Sequence, residues 1–148
     1  MVKTMSDAEV PTAALSRVAD AEATQEEVDQ SGVLGGRVLL RQPKAGYRAG
    51  LDAALLAACV EAKPGERVIE AGCGVGGALL QAAVRCPDVG FSGVERDPAA
   101  VVLARENIEL NNLSGRVELI AADVEQTFSA LNLPAFCLLY TSPSPRDS

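Results

Sequence analysis

Hydrophobic positions in this chain switch repeatedly between strand-like runs and helical spacing. Val38-Leu39-Leu40 is a short apolar run and predicts a strand. From Leu51 to Glu61 the period turns helical, with Leu51, Ala54, Leu55, Ala58 and Cys59 recurring on one stripe, and Pro64-Gly65 ends it. Arg67 to Ala71 reads as a buried strand, followed at once by a glycine-rich turn. Ala78 to Arg85 is a second helix, stopped by Pro87. Val89 to Val94 is the next strand. Asp97-Pro98 then opens a third helix, with Asp97 as N-cap and Pro98 at the first helical position. Val101, Ala104 and Ile108 predict its inner face, Asn111-Asn112 its C-terminal end, and Arg116 to Ala121 a further strand.

Strand, helix, strand, helix, strand is an alternating α/β pattern, which implies a parallel sheet with right-handed crossovers. In such sheets ligands bind beyond the carboxyl ends of the strands. The positions to inspect are therefore Gly72 to Gly77, Glu95 and Asp123. A chain of 148 residues holds at most one domain. Residues 1–31 are rich in Ala, Glu, Asp, Thr and Ser and read as a disordered or loosely helical acidic tail. Residues 32–136 read as the domain. From Cys137 the run Leu-Leu-Tyr-Thr-Ser-Pro-Ser-Pro-Arg-Asp-Ser continues no periodicity of the sheet. It resembles the translated adapter tails of some assembled fragments, so residues 137–148 are expected to be a foreign or disordered tail.

Charge narrows the partners. The net charge is −7, concentrated in residues 1–31, where seven acids face two bases. Only residues 34–48 run the other way, with Arg37, Arg41, Lys44 and Arg48 and no acid. That stretch fits either RNA phosphates or four solvated cations on a hairpin. There is no His, which removes the commonest general base and metal ligand. Cys59, Cys73, Cys86 and Cys137 contain no CxxC spacing, so no metal or redox site is expected. They read as reduced, buried thiols in a cytoplasmic protein, and no membrane segment or secretory signal is expected.

The strongest chemical signal is Glu70-Ala-Gly-Cys-Gly-Val-Gly-Gly77. Glycines permit a tight turn and close backbone approach, and amides opening a helix form a polar corner. Two spacings overlap here. Gly72, Gly74 and Gly77 make GxGxxG, the dinucleotide fingerprint of NAD-binding oxidoreductases. Gly72, Gly74 and Gly76 make GxGxG, with Glu70 two places earlier. Glu95 closes the following strand, where a carboxylate can accept both ribose hydroxyl protons of either cofactor. Asp123 suits a hydrogen bond from an adenine amino group, or a simple N-cap.

The GxGxG form resembles motif I of class I S-adenosyl-L-methionine-dependent methyltransferases. Gly35-Gly-Arg-Val38, Gln42-Pro-Lys-Ala-Gly-Tyr-Arg48, Asp52-Ala-Ala-Leu-Leu-Ala57, Ala104-Arg-Glu-Asn-Ile-Glu-Leu-Asn111 and Arg116-Val-Glu-Leu-Ile120 narrow the likeness. They resemble the bacterial tRNA adenine-N6 methyltransferases, the type acting on the adenine beside the anticodon of valine tRNA. The resemblance spans about residues 32–130 and implies a Rossmann-like, three-layer αβα fold with an incomplete parallel sheet. It implies S-adenosyl-L-methionine as cofactor and tRNA as partner. It assigns Tyr47, Arg48, Asp52, Glu70, Gly72, Cys73, Gly74, Gly76, Glu95, Arg96 and Asp123 to the cofactor, and gives Asn107 and Asn111 a role in steadying the helix after Glu95 or in capping it. The family's catalytic signature is Asn-Pro-Pro followed by an aromatic, which this sequence lacks. The expectation is cofactor binding without a catalytic residue, in a fragment of a tRNA-modifying enzyme. The alternatives are an NAD-binding oxidoreductase, or a methyltransferase acting on protein glutamine or a small molecule.

Overall fold

A computed structural model describes residues 28–45, 48–125 and 138–141. The chain enters through an antiparallel hairpin, β1 (Val28–Val33) and β2 (Val38–Pro43), turned by residues 34–37. Leu34, Gly35 and Gly36 all adopt positive φ in that turn, which explains the glycine pair. Val28 to Ser31, which lie ahead of the expected boundary at residue 32, pair with Leu40 to Pro43. Residues 1–27 lie outside the described residues.

Helix α1 (Leu51–Cys59) leads to β3 (Arg67–Ala71), α2 (Gly77–Arg85), β4 (Gly90–Glu95), α3 (Pro98–Leu110) and β5 (Val117–Ala121). These match the predicted elements within a residue or two, and the Asp97 carboxylate accepts from the Ala100 amide as the N-cap pattern requires. A short β6 (Leu138–Thr141) follows. The sheet runs β5-β4-β3-β6 with every neighbour parallel. Strand β6 falls within the segment expected to lie beyond the domain. Its Leu-Leu-Tyr-Thr is strand-forming chemistry, and it occupies the edge of β3, where backbone groups otherwise lack partners.

Register puts Val68, Phe91 and Val117 side by side on one sheet face. They join Leu79, Leu80, Ala82, Ala83 and Ile108 in the main core. Helix α2 is buried from Gly77 through Ala83, since it lies between the sheet and the elements α1 and β2. Two arginines close helix ends from elsewhere. Arg85 donates to the Ala57 and Val60 carbonyls at the end of α1. Arg116 donates to the Ala83, Cys86 and Val89 carbonyls at the end of α2. Cys59, expected to be buried, is exposed because it sits on the outer face of the last turn of α1.

The chain moves outward from β3 to β4 to β5, and β6 returns on the other side of β3. The order therefore reverses beside β3. Ligands of open α/β sheets bind at that kind of reversal, outside the carboxyl ends of the strands. The glycine turn leaves β3 at that end.

Candidate cofactor site

The turn after β3 is folded back over β4. The Gly72 and Cys73 amides both donate to the Val94 carbonyl, at 2.8 and 3.0 Å, and the Gly76 amide donates to the Cys73 carbonyl. Gly72, Gly74 and Gly76 have φ of +71°, +58° and +95°. Left-handed backbone at alternate positions is what the GxGxG spacing encodes, since a side chain there would be strained. A Cβ added at Gly72 or Gly74 would meet no atom within 4 Å. The crest of the turn thus opens on free space, so that a ligand can approach its backbone closely.

Gly77 is glycine for another reason. A Cβ there would overlap the Ala49 Cβ and approach Ala53 and Leu40. The entry to α1 is thereby seated against the first turn of α2. The same holds beneath the turn at Gly93, where a Cβ would stand 2.7 Å from the Cys73 Sγ and 2.8 Å from Leu79. A glycine inside a strand often marks such a close approach, so the sequence carried a signal for Gly93.

Glu95 closes β4 and braces the turn. Its Oε2 accepts from the Gly74 amide at 2.8 Å, and its Oε1 accepts from the Arg96 and Asp97 amides at 2.9 and 3.0 Å. A carboxylate offers about four acceptor positions. Three are taken by the protein. In this arrangement about one acceptor position, on Oε2, is left for a further donor.

Glu70 is fully buried at the end of β3, on the face that carries Gly93. Cys73 is buried in the core cluster. Its thiol is pushed well above the ordinary range by burial, then by the Glu70 and Glu95 carboxylates. Cys73 is therefore a neutral packing group that can offer a cofactor only its backbone. Native chain treated with iodoacetamide should be alkylated at exposed Cys59 and spared at Cys73, with mass spectrometry locating the adducts. Rapid native labelling of Cys73 would contradict its placement. Because the folded thiol holds its proton where the unfolded thiol releases it, this group's stabilising contribution should be present below about pH 8.5 and fall as pH rises from there toward the raised value.

The remaining expected site residues divide. Arg96 lies between Asp123, at 3.6 Å, and Glu125, at 3.9 Å, linking the ends of β4 and β5. Asp123 also accepts the Glu125 amide on Oδ1 in a local turn. Arg48 is drawn into the hairpin, donating to Asp29 at 2.9 Å and to the Pro43 carbonyl. Asp52 is exposed in the first turn of α1, and Tyr47 lies outside the described residues. Of the basic stretch, Arg41 pairs with Glu106 and Arg48 with Asp29, while Arg37 and Lys44 are exposed. A shallow hollow of about 560 Å³ opens between β1 and the end of α3, but none of the glycine-turn residues lines it.

Buried polar side chains around the turn were not anticipated as they stand. Gln42 accepts the Ala49 amide at 2.6 Å, fixing the segment before α1 to the hairpin. Asn111 caps α3 as expected, donating to the Asn107 carbonyl at 2.7 Å, and both asparagines also reach across to β2 and, for Asn107, to the Val75 carbonyl.

A parallel sheet flanked by helices, with a glycine turn at its reversal point and an acid closing the next strand, defines a Rossmann-like α/β domain. The model for methyltransferase domains matches residues 62–135, half of the chain, and the chain belongs to that family. This sets aside the oxidoreductase reading of the glycine spacing. The chain is 38% identical over 80 residues to the tRNA1(Val) (adenine(37)-N6)-methyltransferase of Yersinia pestis (strain Pestoides F), covering 53% of this chain and 32% of that protein. It thus spans about a third of that relative's length. Among solved structures it is similar to P. horikoshii TYW2 in complex with MeSAdo, with a TM-score of 0.58 and 23% identity over 68% of this chain and 38% of the other. M. jannaschii TYW2 in complex with AdoMet gives 0.58 and 21%, covering 68% and 46%. These two likenesses establish the fold.

Proposed function

We propose that this domain binds S-adenosyl-L-methionine over the turn Gly72–Gly76, within an enzyme that methylates an adenine amino nitrogen of tRNA. The observation that carries the cofactor reading is the glycine turn itself, with positive φ at Gly72, Gly74 and Gly76, open space above Gly72 and Gly74, and Glu95 bracing it from one side. In this reading the exposed backbone of the glycine turn packs against the methionine and ribose portion of the cofactor, while the Gly72, Gly74 and Gly76 amides hold the turn's own shape. Glu95 accepts one ribose hydroxyl on its remaining lone pair. Glu70, buried beneath the turn, and Glu95 favour a cationic ligand. Arg96 and Asp123 border the adenine, and the sulfonium cofactor supplies the electrophilic methyl. Family membership and the AdoMet and MeSAdo bound to the structural neighbours support this choice.

The tRNA reading is supported by the 38% identity to the Yersinia enzyme. A tRNA substrate also fits a cytoplasmic setting, and among the described residues no helix is long and apolar enough to cross a membrane. Transfer needs the target nitrogen held in line with the methyl, and a misplacement of 1 Å can cost a hundredfold. The sequence offers no Asn-Pro-Pro-aromatic to do this. The 148-residue chain is therefore expected to bind cofactor without transferring its methyl. Isothermal titration should give S-adenosylhomocysteine binding and none with NAD. Labelled methyl should pass to unmodified tRNA only when the domain is extended to a full-length relative's size. NAD binding without S-adenosylhomocysteine binding would overturn the cofactor reading. Methylation of protein or a small molecule, but not tRNA, by the extended protein would overturn the substrate reading.

A further inference from the structure

Helix α3 meets the outer edge of β2 through side chains that imitate a strand. The Asn107 Oδ1 accepts the Arg41 amide at 2.8 Å, while its Nδ2 donates to the Arg41 carbonyl at 3.0 Å. The Asn111 side chain makes the same two-point pair with Leu39, at 2.8 and 2.7 Å. The spacing is what allows it. Four residues of helix rise about 6 Å, and two residues of strand about 6.6 Å. Two carboxamides one helical turn apart therefore match alternate residues of β2. They occupy an edge whose backbone groups β1 leaves unpaired.

The two asparagines differ in one respect. The second Nδ2 hydrogen of Asn111 goes to the Asn107 carbonyl, within α3. That of Asn107 goes to the Val75 carbonyl at 2.9 Å, in the glycine turn itself. Asn107 is completely buried. We propose that Asn107 is a positioning residue for the cofactor turn, locking the Gly74–Val75–Gly76 segment to the N-terminal hairpin so that the turn's backbone is held in shape before ligand arrives. The proposal rests on the cofactor reading for its binding consequence, but its structural content stands apart from that reading. The hairpin's turn carries the exposed cation Arg37, and the Asn107 carboxamide joins that hairpin to the glycine turn.

Asn111 supplies the control, because replacing it breaks the same kind of hairpin bonds and leaves Val75 untouched. The chain is prepared unmodified and as Asn107→Ala, Asn107→Asp and Asn111→Ala. Asn107→Asp keeps an acceptor for the Arg41 amide and loses both donors, so it reports on the turn if Asn107→Ala folds poorly. Hydrogen exchange of the ligand-free chain is read by peptide. Both Asn107 variants should speed exchange at residues 74–77, whereas Asn111→Ala should speed it in the hairpin and at the end of α3 and leave 74–77 unchanged. S-adenosylhomocysteine titrations, run well below each melting temperature, should show dissociation constants raised about five- to tenfold for the Asn107 variants. Asn111→Ala should stay within about twofold of the unmodified chain. Unchanged exchange at 74–77 in both Asn107 variants overturns the proposal, as does equal weakening of binding by Asn107→Asp and Asn111→Ala. If the unmodified chain does not bind S-adenosylhomocysteine, the cofactor reading fails, and the exchange comparison alone decides the role of Asn107.

Discussion

Glu95→Ala should lower the affinity for S-adenosylhomocysteine by roughly tenfold or more. A hydrogen bond to a charged group contributes about 1.5–3 kcal/mol, and each 1.4 kcal/mol is tenfold in affinity. The structure adds a second reason. Glu95 accepts from three backbone amides, one in the glycine turn and two at the start of α3. Truncation therefore removes the ligand's acceptor and also releases the Gly74 amide, letting the turn relax. It takes a negative charge from the N-terminus of α3, which lowers stability as well. Glu95→Gln should fall between the two. Its single oxygen can serve either Gly74 or the Arg96–Asp97 pair, and its NH₂ group points a donor at the other. Titration calorimetry on the three proteins, with melting curves alongside, measures both effects. Ala binding as tightly as the unmodified chain would remove Glu95 from the cofactor site.

The central α/β unit was legible because each of its signals is local. Val68, Ile69, Phe91 and Val94 announce buried strands by composition alone, and Asp97-Pro98 marks a helix start through bonds within one turn. The glycine turn was legible because positive φ is a property of single residues. What escaped was set by partners far along the chain. Strand β1 has the polar sequence Val-Asp-Gln-Ser-Gly-Val and becomes a strand only through β2. Asn107 and Asn111 look like ordinary helix-end residues until β2, 66 and 72 residues away in sequence, is laid beside them. Arg48 carried the entry-segment likeness, but Asp29 and the Pro43 carbonyl, both in the hairpin, claim its guanidinium. Cys73 looked like part of the ligand contact because it sits inside the motif. Its side chain turns under the loop, where the missing Cβ of Gly93 makes room.

Gly77→Ala should destabilise the domain, although alanine is the better helix former. In an ordinary helix that change gains up to about 1 kcal/mol. Here the new Cβ overlaps the Ala49 Cβ. Both atoms are fixed to backbone, so no rotamer change separates them, and α1 must shift away from α2. Overpacking of this kind costs about 1–3 kcal/mol, which outweighs the propensity gain. Ala49→Gly removes the opposing atom, so the double variant should recover most of the loss. Gly76→Ala makes the contrast. Gly76 sits at φ +95° with its nearest contacts 3.5 Å away on Leu80, so its constraint is conformational. Ala49→Gly should do nothing for it. Urea midpoints for the single and double variants separate the two mechanisms. Because residues 49–53 are seated on the helix that continues the cofactor turn, Gly77→Ala should also weaken S-adenosylhomocysteine binding, and the same second substitution should restore it. If Gly77→Ala is as stable as the unmodified chain, or if Ala49→Gly rescues Gly76→Ala equally well, then α1 is not pinned to the turn through this contact.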